Sequence, residues 1–225
     1  MEFSKFEQNI GYEFKDKSLL QTALTHTSYA NEHKVQSNEK LEYLGDAILE
    51  FVTSEYLFKN YKKLKEGEMT KVRATVVCED SLYKVAKKHN FSDFLIIGKS
   101  EMFCNGNEKP AILADSVEAV IAAMYLDSGI ENVRTFIVDN LKDWIEIASQ
   151  NVGKKDYKTV LQEELQKHGT VHIEYNIIKE EGPDHSKKFT AEVKCDGKKL
   201  ATGTGSNKKQ AEMEAAHKAL ENMKK

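Results

Sequence analysis

Apolar residues recur at three- and four-residue spacing through most of the chain, in 19–29, 41–61, 69–89, 112–126 and 133–148. That period lays them along one face of α-helices, and strand-like alternation is nearly absent from this part. Residues 99–110 break the pattern, with Asn105-Gly106-Asn107 as a turn and Pro110 just ahead of a helix. The polar, glycine-containing stretch 149–155 reads as a linker. Beyond it the period changes. Residues 157–168 form an amphipathic helix stopped by Gly169, and 171–179 and 188–195 alternate as strands about a turn at 181–185. Asp196-Gly197 is a two-residue hairpin signal, 199–205 a third strand and 206–223 a closing helix. The expected fold is a multidomain α and α+β chain. An all-helical domain spans 1–148, a linker 149–155, and an α-β-β-β-α domain 156–225.

Five carboxylates stand out against this pattern. Glu39, Glu42 and Asp46 lie at i, i+3 and i+7, a single stripe where the helical pattern of 41–61 begins. Leu41, Leu44, Ile48, Phe51 and Val52 mark an apolar stripe on roughly the opposite side, and Tyr43 and Leu49 flank the acids. The helix over 112–126 is apolar nearly all round, hence mostly buried, yet carries Asp115 and Glu118 one turn apart with small Ala122 next along that face. Carboxylates in such surroundings are costly unless compensated. A divalent cation is the usual compensation, and all-oxygen ligands select a hard one such as magnesium or manganese.

Composition narrows the class. The 225 residues are 40% hydrophobic and 31% charged, which describes a globular chain. No stretch approaches the ~18 apolar residues of a membrane helix, and the first residues lack the apolar run of a signal peptide. Cys78, Cys104 and Cys195 are scattered and odd in number, suiting a reducing cytoplasm, and the histidines show no paired ligand spacing. No membrane partner and no small-molecule cofactor are expected. The net charge of −3 hides a local bias, since residues 184–209 carry seven lysines against three acids. Ser206 or Asn207 can cap the last helix, whose first turn with Lys208 and Lys209 favours phosphate.

The element order of residues 156–225, the Gly182-Pro183-Asp184-His185-Ser186-Lys187-Lys188-Phe189 turn and the Ser206-Asn207-Lys208-Lys209 helix start together resemble the double-stranded RNA-binding domain. That resemblance implies minor-groove contacts from Thr159, Gln162, Glu163 and His185, with Lys208 and Lys209 on phosphate across the major groove, reading A-form shape more than sequence.

Asn38-Glu39-Lys40-Leu41-Glu42-Tyr43-Leu44-Gly45-Asp46-Ala47 is similar to the signature segment of the ribonuclease III family, and Ile112-Leu113-Ala114-Asp115-Ser116-Val117-Glu118-Ala119 to its second acidic motif. The likeness runs from about residue 3 to 225. It implies an endonuclease that hydrolyses both strands of duplex RNA, leaving staggered 5′-phosphate and 3′-hydroxyl ends, and that processes ribosomal, messenger and transfer RNA precursors. It also implies Mg2+ (or Mn2+) held by Glu42, Asp46, Asp115 and Glu118, with Asp46 and Glu118 catalytic and Glu39 contacting substrate. It further implies a homodimer with Tyr43, where phenylalanine is usual, at the interface. The turn Lys65-Glu66-Gly67-Glu68 also matches, and Glu66 is expected to approach the partner's active site.

Overall fold

The computed structural model describes residues 3–152, 157–167, 169–182 and 187–223, and the chain divides into two compact units between Val152 and Gly153. In the first unit the helices are α1 (Ser4–Ile10), α2 (Lys17–Ala23), α3 (Thr27–His33), α4 (Glu39–Asn60), α5 (Glu66–Val76), α6 (Glu79–Lys88), α7 (Lys99–Phe103), α8 (Pro110–Ser128) and α9 (Ile130–Asn151). Helix α8 opens with Pro110, whose missing N–H is harmless in a first turn. Its apolar circumference is buried by α2, α4, α6 and α9 packed around it. Leu113, Ile121 and Met124 are among the fully buried side chains, each worth roughly 1.5–3 kcal/mol when removed from water.

Several expected elements are divided or shifted. The helix expected over 19–29 is two, α2 and α3. Between them Thr25 forms a parallel bridge with Ile96, and the His26 ring accepts the Ser28 N–H as the cap of α3. The helix expected over 69–89 breaks at Cys78, whose extended backbone caps α6. Residues 65–68 are not a free turn. Lys65 caps α5, Glu66 opens it, and the Glu68 carboxylate accepts the Lys65 N–H at 2.8 Å. Helix α9 runs through Asn151, into the segment read as linker. The polar side chains there support the helix instead of ending it: the Ser149 hydroxyl donates to the Glu146 carbonyl and the Asn151 amide to the Ile147 carbonyl.

The second unit is α10 (Tyr157–Gln166), β1 (Ile173–Glu181), β2 (Lys188–Cys195), β3 (Lys198–Gly205) and α11 (Lys208–Asn222). The strands form one antiparallel sheet in the order β1-β2-β3. Asp196 and Gly197 both take positive φ (49° and 78°), as a tight hairpin turn demands. Leu161 of α10 and Ala211, Ala215, Ala216 and Ala219 of α11 pack with Ala191, Val193 and Ala201 of the sheet in a core of their own. A side chain at Gly203 would place its Cβ 2.1 Å from the Ala215 nitrogen, so glycine there lets α11 lie close on β3.

Candidate active site and RNA interface

Helices α4 and α8 touch backbone to backbone at Gly45. A Cβ there would stand 1.9 Å from the Glu118 carbonyl oxygen. This contact sets the carboxylates of α4 beside those of α8. The start of α4 is held in turn by the Asn38 N–H, which donates to the Thr25 carbonyl at 2.8 Å next to the Thr25–Ile96 bridge. Glu39 and Glu42 stand in the first turn, where the helix dipole favours negative charge.

Glu39 and Asp46 are exposed, while Glu42, Asp115 and Glu118 are half-buried. Burial and the nearby Asp46, Asp115 and Glu42 carboxylates push Glu118 up to about 8. Glu42 is raised by burial and by Asp115, Glu39 and Asp46. Asp115 is raised by burial and by Glu79 at the start of α6, with His26 pulling the other way. None of the carboxylates of Glu42, Asp46, Asp115 and Glu118 has a hydrogen bond or ion pair among the described residues, whereas the Ser37 hydroxyl donates to Glu39 at 2.9 Å. Ser116 stays out of the cluster, its hydroxyl donating to the Leu113 carbonyl.

Among the described residues, no three His, Cys, Asp or Glu side chains are drawn together in a group that could hold a metal ion. The fold gathers charge instead, four mutually repelling carboxylates with no cationic side chain bonded to them. In donor chemistry this all-oxygen set fits a hard divalent cation.

Two residues escape a reading by spacing. Gly45 sets the depth of the site, and its signal is a glycine inside a long helix, where it is unfavourable without a packing reason. Glu79 leaves no signal, because only the fold brings α6 up to α8.

The other faces of α4 differ from expectation. Leu49, read as an edge of the acidic stripe, is 1% exposed, and Thr53 beyond it is also buried. The acidic stripe therefore runs into the core after two turns. Phe51, read as part of the apolar stripe opposite the acids, is 56% exposed, alongside Tyr43 at 83% and Phe58 at 66%. With Ala47 they make an exposed apolar stripe, a third face. Beside it Glu66, Ser54, Met69 and Arg73 line a cavity of about 340 Å³.

In the second unit Thr159, Gln162 and Glu163 lie on the exposed side of α10, opposite Leu161. His185 lies outside the described residues. Asn207, not Ser206, caps α11, accepting the Gln210 N–H at 2.9 Å, and Ser206 donates to the Gln210 side chain. The neighbouring lysines diverge. Lys209 lines a cavity of about 520 Å³ with Thr159, Gln162 and Tyr175, while Lys208 turns to Glu180 at 3.3 Å.

A ribonuclease-III-like family model matches residues 16–144, and a double-stranded RNA binding motif matches residues 157–223. The chain belongs to the ribonuclease III family. It is 48% identical over 223 residues to Ribonuclease 3 of Clostridium kluyveri, covering 99% of this chain and 91% of that protein. It is 46% identical to Ribonuclease 3 of Oceanobacillus iheyensis, covering 99% of both. Among solved structures, the nuclease domain of ribonuclease III from Campylobacter jejuni is similar at TM-score 0.60 and 43% identity, covering 63% of this chain and 97% of that one. Among the described residues no helix is long and apolar enough to cross a membrane.

Proposed function

We propose that this protein is a divalent-cation-dependent endoribonuclease that hydrolyses both strands of duplex RNA, leaving staggered 5′-phosphate and 3′-hydroxyl ends. One observation carries this reading: four carboxylates, which no cationic side chain among the described residues pairs, flank the Gly45 contact of α4 and α8 in a member of this family. When bound, Mg2+ (or Mn2+) would neutralise phosphate charge and lower the pKa of a water. Glu42, Asp46, Asp115 and Glu118 offer the oxygens to hold it. Glu118 and Asp46 are the catalytic residues, Glu118 orienting the attacking water through its carboxylate. Glu39, exposed and bonded to Ser37, faces the substrate. Thr159, Gln162, Glu163 and His185 contact minor grooves, and Lys208 and Lys209 contact phosphate.

One such cluster cuts one strand, so both strands require two copies. The exposed Tyr43, Phe51 and Phe58 stripe supplies an apolar surface for a homodimer. The Campylobacter jejuni nuclease domain is likewise described with a region involved in dimer formation. In that assembly Tyr43 is an interface residue and Glu66 approaches the partner's site. The boundaries 1–148, 149–155 and 156–225, moved at most to the end of α9, separate nuclease, linker and RNA reader. A cytoplasmic location suits the three free cysteines, and structured precursors of ribosomal, messenger and transfer RNA are the substrate class.

The test is an end-labelled RNA hairpin incubated with Mg2+ or with a chelator. Magnesium-dependent cuts on both arms are expected, and Glu118→Gln should abolish them while duplex binding persists. Normal turnover by that variant would remove Glu118 from the chemistry. Tight binding without cutting, in Mn2+ as well, would make the protein a non-catalytic RNA binder.

A further inference from the structure

Four lysines of the segment 184–209 are paired with acids in the folded chain: Lys187, Lys194, Lys199 and Lys208. Glu180, near the end of β1, bridges two of them: one carboxylate oxygen lies 3.3 Å from the Lys208 Nζ and the other 3.3 Å from the Lys187 Nζ. Both ammonium groups also lie over one aromatic ring, Phe189, at 5.9 and 6.0 Å from its centroid. The sheet register explains the convergence. Glu180 is the direct cross-strand partner of Phe189, so their side chains leave the same face, under the start of α11. The Glu180 carboxyl is held below the usual carboxylate range by its bonds to Lys208 and then Lys187. The lysine-rich segment 184–209 does not include Glu180, and only strand pairing brings this acid into it.

We infer that Glu180 sets the electrostatic attraction of the RNA interface, acting as an internal stand-in for a backbone phosphate between Lys187 and Lys208. The inference rests on the duplex-RNA reading above. Each phosphate neutralised by a lysine releases the cation condensed on the RNA there, which gives binding its salt dependence. A lysine drawn from Glu180 leaves behind a carboxylate that repels the incoming phosphate and retains a cation of its own, so the net release is smaller. Glu180 therefore weakens attraction to every polyanion alike. Duplex RNA recovers the loss through its minor-groove contacts with α10, while DNA and single strands do not. Ion pairs this exposed contribute little to folding, so their main consequence falls on binding.

The experiment measures binding of the full-length protein, in a chelator to stop cutting, to labelled RNA duplex, DNA duplex and single-stranded RNA across a range of salt. The duplexes exceed the roughly 16 base pairs such a domain spans. Circular dichroism first checks that Glu180→Gln and Glu180→Asp fold. For Glu180→Gln the plot of log affinity against log salt should steepen by about one unit. Its affinity for duplex RNA at low salt should rise about fivefold. Affinity for DNA and single strands should rise by about the same factor, because the charge removed faces every polyanion alike. Glu180→Asp, which keeps the charge, should hold a slope near that of the unsubstituted protein. Unchanged affinity, or weaker binding with an unchanged slope, would reduce Glu180 to a brace and overturn the inference. Failure of the unsubstituted protein to bind duplex RNA would overturn the underlying reading instead.

Discussion

Glu118 is the residue at which structure and chemistry oppose each other most. Half-buried and surrounded by Asp46, Asp115 and Glu42, it holds its proton to about pH 8, against 4.5 when unfolded. The folded state thus binds a proton over that interval that the unfolded state has released, and stability falls as pH rises through it. In a chelator, the melting temperature should decline from about pH 5 to pH 8. Glu118→Gln should remove most of the decline and melt higher than the unsubstituted protein at pH 8. A melting curve indifferent to both pH and the substitution would show that the cluster stores no such repulsion. Asp115 and Glu42 are raised for the same reasons and steepen the fall. A cation that satisfies these oxygens has the opposite effect, so site and stability are linked through charge.

At the scale of elements, α4 divides its surface three ways. One stripe begins as carboxylates and ends as core, a second is core throughout, and a third is apolar yet exposed. The depth of the first is set where α4 crosses α8. Gly45→Ala would drive a methyl group into the Glu118 backbone, and neither helix has a flexible side chain there to yield. The expected loss is about 2 kcal/mol or more, read as a melting temperature lower by several degrees. Cleavage should fall further than duplex binding, because separating the helices pulls Glu42 and Asp46 from Asp115 and Glu118. A variant that melts and cuts like the unsubstituted protein would show that the contact is not what assembles the site.

Over the whole molecule, two units with separate cores divide the labour between cutting and reading. The exposed stripe of α4 belongs to neither task within one chain. Tyr43→Glu combined with Phe51→Glu places charge where two apolar stripes would meet, without touching the core. Sedimentation should report a monomer, and cutting of both hairpin arms should be lost together. Persistence of a dimer in this double variant would move the interface elsewhere.

Much of this protein follows from the chain read alone. Period-3.6 and period-2 patterns separate a helical unit from an α-β-β-β-α unit, because each period reflects backbone geometry that needs no distant partner. The spacing of Glu39, Glu42 and Asp46, and of Asp115 and Glu118, is local as well, since one helix turn aligns them. The divisions between α2 and α3 and between α5 and α6 were not legible, because the Thr25–Ile96 pairing and the cap at Cys78 interrupt apolar patterns that run on past them. Nor were the burial of Leu49, the exposure of Phe51, the nearness of Glu79 to Asp115, or the clasp of Glu180 on Lys187 and Lys208. Those depend on which faces of distant elements meet, and helix crossing and strand register decide that. Residue spacing determines what one element presents; tertiary packing determines which of those groups come close enough for their charges to act on one another.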